Sequence, residues 1–279
     1  MQTFHTIAEF RRARRRITGD LGLAPTMGFL HGGHLALVRR ARAENDAVAA
    51  SIFVNPTQFG PAEDFKDYPR DLDRDLALLS QEGVALVFNP QPEEMYPPGH
   101  DTGIETGAVS MPLEGARRPE HFRGVATVVA KLFNIVQPAR AYFGQKDAQQ
   151  VRVIQRMARD LDFPLEIVVV PTVREPDGLA MSSRNIYLDA KERLAARCLY
   201  RGLTRAQERW AQGERDAGAL RRLVAETIEA EPLAAIDYVS VADPDLSELE
   251  GPVEGSALLS LAVRIGPARL IDNVTLGGG

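Results

Sequence analysis

The densest chemistry in the chain lies in Pro25-Thr26-Met27-Gly28-Phe29-Leu30-His31-Gly32-Gly33-His34. Two imidazoles three residues apart lie on one helical face, so both can turn toward the same anion. The glycines let the backbone come close to a ligand, and the free N–H groups of a helix start attract phosphate. Leu21–Ala24 in front reads as a short buried strand, and Leu35, Val38 and Ala41 behind keep a helical spacing through Ala43. A strand, a glycine turn, His-x-Gly-His and a helix start together suit the phosphates of a nucleotide. Taken singly, the turn is also an ordinary βα connection, and either histidine could be a satisfied structural one.

Three further stretches offer complementary groups. In Asn55-Pro56-Thr57-Gln58-Phe59, the amide of Gln58 donates and accepts, which suits a hydroxyl-bearing carboxylate; a loop cap would use it too. Gly144-Gln145-Lys146-Asp147 joins a glycine for a close turn to Lys146, a point charge for phosphate. Asp147 can cap the next helix, bind a ribose or orient a magnesium ion, and of Gln149 and Gln150 one can face the site. Met181-Ser182-Ser183-Arg184-Asn185 groups two hydroxyls with an arginine, a compact anion clamp.

To act together, these stretches need a common scaffold. A helix is expected near Thr6–Arg16, then a βαβ unit over Leu21–Val54 whose second strand, Ala47–Val54, is almost wholly apolar, as a strand covered on both faces should be. Helix Asp71–Glu82, strand Val84–Phe88, helix Val125–Ile135, strand Ala141–Phe143, helix Gln149–Asp160 and strand Leu165–Val170 follow. The alternation predicts an α/β fold, a Rossmann-like doubly wound parallel sheet. Such sheets bind ligands beyond the carboxyl ends of their strands, and Thr26–His34, Asn55–Gln58 and Gly144–Gln150 each follow an apolar strand. The pattern changes after Pro171. Helices Lys191–Gln212 and Asp216–Glu231 and short strands near Ile236–Val241, Ala257–Val263 and Arg269–Asn273 predict a smaller α+β domain. The expected division is therefore 1–171 and 172–279. Pro61–Asp75 is charged and irregular, a lid or a plain surface loop, and the tail Gly277–Gly279 is expected to fray.

Composition narrows the class. A balance of 33 basic against 38 acidic residues, net −5, does not suit nonspecific nucleic-acid binding. The one dense basic run, Arg11-Arg12-Ala13-Arg14-Arg15-Arg16, reads as a solvated helix face. Cys198 is the single cysteine, so no intramolecular disulfide can form, and a reducing cytoplasm fits; its helical, apolar setting predicts a buried thiol. Met1–Arg16 lacks the apolar h-region of a secretion signal and no stretch approaches the apolar length of a membrane span, so a cytoplasmic protein is expected. Walker A, Gly-x-Gly-x-x-Gly and Cys/His zinc spacings are missing as well.

The His-x-Gly-His stretch resembles the signature of the nucleotidyltransferase superfamily, and Met181–Asn185 resembles the mobile Lys- and Ser-rich second signature of class I aminoacyl-tRNA synthetases and their relatives. Taken in order, Pro25–Gly28, Ser51–Phe59, Tyr68-Pro69-Arg70, Gly144–Asp147 and Met181–Asn185 resemble the pantothenate synthetase (pantoate–β-alanine ligase) family over essentially the whole chain. One departure is Gly32, where family members often carry glutamate.

The resemblance implies a ligase that condenses pantoate with β-alanine using ATP and magnesium, through a pantoyl adenylate, to give pantothenate, AMP and pyrophosphate. It implies ATP contacts from Met27, Gly28, Phe29, Leu30, His31, Gly32, Gly33 and His34, from Gly144, Gln145, Lys146 and Asp147, and from Val173, Met181, Ser182, Ser183 and Arg184. Gln58 and Gln150 match pantoate-binding positions, and Gln58 also lines the β-alanine site. His34, Lys146 and Arg184 are the implied catalytic residues, with His34 the proton donor. The metal ligands stay open, with Asp75 and Asp147 both considered, and a homodimer through the N-terminal domain is expected. An adenylyltransferase that makes no amide bond, a synthetase fragment and a binding-only homologue are the competing readings.

Overall fold

Leu21–Thr26 and Ala47–Ile52 become neighbouring strands at the middle of a parallel sheet, because helices on both faces leave no solvent side that would call for polar residues. The computed structural model describes residues 1–60 and 65–277. In chain order the elements are β1 (Gln2–Phe4), α1 (Ile7–Arg14), β2 (Leu21–Thr26), α2 (Gly32–Glu44), β3 (Ala47–Ile52), α3 (Leu72–Gln81), β4 (Leu86–Phe88), α4 (Pro92–Met95), α5 (Glu114–Arg117), α6 (His121–Val136), β5 (Arg140–Gly144), α7 (Ala148–Asp160) and β6 (Glu166–Val170). They continue with α8 (Ala190–Ala195), α9 (Arg197–Ala211), α10 (Ala217–Glu229), β7 (Ala234–Ala242), β8 (Ala257–Ile265) and β9 (Ala268–Leu276). Single 3₁₀ turns at Pro56–Gln58, Gln145–Asp147 and Ser183–Tyr187 carry motif residues.

The first six strands are parallel in the order β1-β4-β3-β2-β5-β6. Helices α1, α6 and α7 pack one face through Phe10, Phe133 and Ile154, while α2 and α3 pack the other through Val38 and Leu79. The winding reverses between β2 and β5, so Thr26 and Gly144 end adjacent strands at the switch point where doubly wound sheets bind ligands. The remaining strands form an antiparallel sheet, β7-β8-β9, whose core joins Leu199, Leu203 and Val224 of α9 and α10 to Leu259, Leu261 and Leu270. Cys198 lies in this core, and burial pushes its thiol up to about 11. The chain thus divides into two compact units, Met1–Gln145 with Gln149–Pro171, and Lys146–Ala148 with the chain from Thr172 onward.

Several elements differ from the expected ones. The edge strand β1 pairs with β4 over three residues, too few for an alternating pattern to show in the sequence. Helix α6 begins at His121, one turn before the expected Val125. Lys191–Gln212 is two helices, broken at the fully buried Ala196; no glycine or proline marks the break. In the basic run, Arg11 and Arg14 donate to the carbonyls of Asn134, Val136 and Gln137, so two of its arginines cap the end of α6. Residues 61–64 of the expected lid and 278–279 of the tail lie outside the described residues.

Candidate active site

The turn after β2 is built by short-range bonds and one distant carboxylate. Thr26 donates its hydroxyl to the Ser51 carbonyl (2.7 Å) and accepts the Gly28 amide (3.2 Å). Gly28 has φ +85°, a conformation that strains any side chain, and a Cβ there would also stand a tight 3.1 Å from both Asp75 and Ile52. Phe29 follows at φ 50°, an unfavourable backbone for a residue with a side chain. Asp75, on α3 and 1% exposed, fixes this conformation by accepting the Phe29 amide on Oδ2 (2.6 Å) and the Leu30 amide on Oδ1 (2.7 Å). Burial raises the Asp75 pKa, with the two amide bonds opposing that rise.

Both histidines then act in the cap of α2, which starts inside the motif at Gly32. His31 is the N-cap residue, and its Nδ1 accepts the Gly33 amide at 3.2 Å. His34 Nδ1 accepts the His31 amide at 3.3 Å, completing a capping box with imidazoles in place of hydroxyl and carboxylate. The rings lie 4.1 Å apart and 34° from parallel. With Nδ1 an acceptor in each ring, the neutral imidazole carries its proton on Nε2. The cap therefore gives each Nε2 an N–H at a helix start, where anions are favoured.

Gln58 is set by a polar cluster that spacing in the sequence does not reveal. Asn55, 1% exposed, donates to Gln58 Oε1 (3.2 Å) and to the Gly124 carbonyl (3.2 Å). The Asn55 Oδ1 accepts from the Tyr96 hydroxyl (2.7 Å) and from Thr57 (3.0 Å). With its oxygen so engaged, Gln58 turns Nε2 toward Met27 Sδ at 3.0 Å, bringing two of the expected site residues together. His121 Nδ1 stands 2.9 Å from the Gln58 carbonyl, and Arg118 donates to the same oxygen at 3.3 Å. Gly124 lets α6 close on this turn: a Cβ there would fall 2.2 Å from the Thr57 carbonyl. Burial raises the Tyr96 pKa and keeps its hydroxyl a donor. Of the glutamines starting α7, Gln149 is buried and bonded to Val109, Pro112 and Glu114, which leaves the half-buried Gln150 as the one suited to a ligand.

Gly144, at the end of β5, and Gln145 belong to the first unit, and the second holds Lys146, Asp147, Val173 and Met181–Arg184. Lys146 Nζ lies 3.2 Å from the Asp147 carboxylate. A bridge between Arg174 and Ala180, with the Met181 amide donating to the Val173 carbonyl (3.0 Å), sets Val173 beside Met181. Ser182 caps the 3₁₀ turn, its Oγ accepting the Arg184 amide at 3.3 Å, with Ser183 buried and Arg184 half-buried. Asn185 donates to the Ala180 carbonyl, closing the loop on itself. No cluster of three metal-ligating side chains occurs among the described residues.

Comparison with known proteins gives the family. The model of the pantoate-beta-alanine ligase family matches residues 2–275. Pantothenate synthetase of Roseiflexus sp. (strain RS-1) is 65% identical over 277 residues, 99% of each chain. That of Chloroflexus aurantiacus is 62% identical over 279 residues, covering 100% of this chain and 99% of the relative. The crystal structure of pantothenate synthetase from Thermus thermophilus matches with a TM-score of 0.95 at 52% identity over both complete chains. A Francisella tularensis pantoate-beta-alanine ligase, solved with beta-gamma ATP and beta-alanine, matches with a TM-score of 0.81 at 34% identity, covering 100% of this chain and 99% of that one. With the same fold, and with sequence agreement running from end to end, this chain belongs to the pantoate–β-alanine ligase family.

Proposed function

We propose that the chain joins pantoate to β-alanine in two steps, and that Met27–His34, Gln58, Gly144–Asp147, Gln150, Val173 and Met181–Arg184 are the residues that bind its substrates. The observation that carries this reading is the paired-imidazole cap at the start of α2, braced by Asp75. In the first step an oxygen of the pantoate carboxylate attacks the α-phosphorus of ATP, and the bond to pyrophosphate breaks. Negative charge builds on the phosphate oxygens, and His34 through Nε2–H, Lys146 and Arg184 offset it in this scheme. Little covalent assistance is needed, so alignment by Gln58 and Gln150 matters most. In the second step the neutral amine of β-alanine attacks the acyl carbon, a C–N bond forms, the bond to AMP breaks and the amine gives up a proton. The contents of the Francisella structure, beta-gamma ATP and beta-alanine, fit both halves of this scheme.

Pantoyl adenylate is a mixed anhydride that water destroys, so the scheme requires water to be excluded while it exists. Magnesium enters with the triphosphate, where it would neutralise phosphate charge. The Asp75 carboxylate is already engaged by two backbone amides, and a magnesium ion bound with a triphosphate generally keeps several water and phosphate ligands. A homodimer and a cytoplasmic location complete the proposal. The described residues include no helix long and apolar enough to cross a membrane.

The test is ATP–pyrophosphate exchange with pantoate and magnesium, without β-alanine. Pantoate-dependent exchange, followed by AMP and pantothenate once β-alanine is added, is expected. A folded, ATP-binding protein that shows no exchange would overturn the reading.

A further inference from the structure

Lys146 follows a strand of the first unit, yet its backbone is tied to the second. A side chain supplies the tie: Asn273, on β9, donates its amide Nδ2 to the Lys146 carbonyl at 2.9 Å. Asn273 is 4% exposed, and its own backbone amide donates to Asp272 Oδ1 at 2.8 Å. Asp272, 2% exposed, receives a two-pronged bond from Arg174, Nη1 to Oδ2 at 2.6 Å and Nη2 to Oδ1 at 2.9 Å. Arg174 also donates to the Gly178 carbonyl (3.1 Å) and to the Asn273 carbonyl (3.4 Å), and its guanidinium stacks on the Tyr200 ring at 4.1 Å. Register bonds of β9 to the buried strand β8, Asp272 opposite Leu261 and Asn273 opposite Ser260, give this cluster a rigid base.

We propose that Asn273, held by Asp272 and Arg174, is the positioning residue for Lys146. A buried ion pair adds little stability over apolar packing, so stability alone is a weak account of Asp272 and Arg174. Fixed geometry is a better one. Lysine has four rotatable side-chain bonds, and its ammonium can be preorganised only if the backbone below it is immobile. The same Arg174 organises the loop from Val173 to Met181, so one buried joint serves the lysine and the loop that leads into Ser182–Arg184. The inference rests on the charge-offsetting role given to Lys146 above.

A double-mutant cycle on pantoate-dependent exchange of labelled pyrophosphate tests it. Asn273→Ala is expected to lower the exchange rate about tenfold or more, as a small misplacement of a catalytic group does. In a Lys146→Ala background the same change should alter the residual rate less than about twofold, because the group it positions is gone. A wild-type rate in Asn273→Ala, or an equal fold-loss with and without Lys146, overturns the proposal. If Asn273→Ala does not fold, the cycle is run with the near-isosteric Asn273→Asp, which loses the donor. Absence of pantoate-dependent exchange in the wild type would instead strike at the ligase reading itself.

Discussion

The carboxylate of Asp75 accepts the backbone amide of Phe29 at 2.6 Å, across 46 residues, and so holds the left-handed turn that leads into the two histidines. The second oxygen takes the Leu30 amide. An acidic residue that the sequence offers as a metal neighbour is thus a brace for the backbone.

Asp75→Asn turns an amide donor toward backbone donors. It should cost about 2 kcal/mol of stability, the scale of an unmade bond at a buried polar group, and lower kcat as the turn loosens. Urea unfolding and steady-state kinetics check both. The pH dependence has a definite sign. Burial holds the folded pKa above its unfolded value, so the folded protein keeps this proton longer. The wild-type advantage over Asp75→Asn is fullest below the ordinary aspartate range and shrinks as pH rises through the raised value. An advantage that grows with pH across this window would mean that the two amide bonds outweigh burial in setting this pKa.

The capping box separates the roles of the two histidines. His34→Ala should still fold, lose about 1 kcal/mol from the cap, and lose roughly 10²-fold in kcat if Nε2 stabilises transferring phosphate. Near-normal turnover would leave His34 with capping alone. An unfolded variant would make its part chiefly structural.

Tyr96→Phe removes the donor to Asn55 Oδ1 while keeping the ring. Asn55 is then freer to rotate, and Gln58 with it. The expected result is an increase of several-fold in the KM for pantoate with kcat nearly unchanged, since ground-state alignment is what is lost. Equal losses in kcat and kcat/KM would move the effect to the transition state.

Tyr142 reports on the fold at high pH. It is fully buried between Asn45, which donates to its hydroxyl at 2.7 Å, and Glu44, which accepts from it at 2.9 Å. Burial pushes its pKa up to about 12, and its contribution to stability is full below the ordinary tyrosine value, then falls as pH rises toward that figure. In Tyr142→Phe this part of the alkaline slope should vanish, as equilibrium unfolding at a series of alkaline pH values would show. Phenolate absorbance in the wild type should report one residue that ionises only near unfolding.

How far the sequence reaches depends on the range of each interaction. Apolar runs and helical spacing act over a few residues, so Leu21–Thr26, Ala47–Ile52 and α7 were legible, and with them the doubly wound sheet and the placing of motifs after its strands. Motif order along the chain also sufficed for the family. Spacing alone left Gln149 and Gln150 undistinguished, because both begin the same helix; the family resemblance pointed to Gln150, and the bonds of Gln149 to Val109, Pro112 and Glu114 agree with it. Asp75 with Phe29, Tyr96 with Asn55, and Asn273 with Lys146 are bonds across 46, 41 and 127 residues. No periodicity records such pairs, since the partners meet only after the sheet has folded and each buried polar group must find its complement. The sequence by itself determined which groups are available for the chemistry and the class of scaffold that carries them. Tertiary structure decided which groups are held still, because immobility comes from contacts between segments that are remote along the chain.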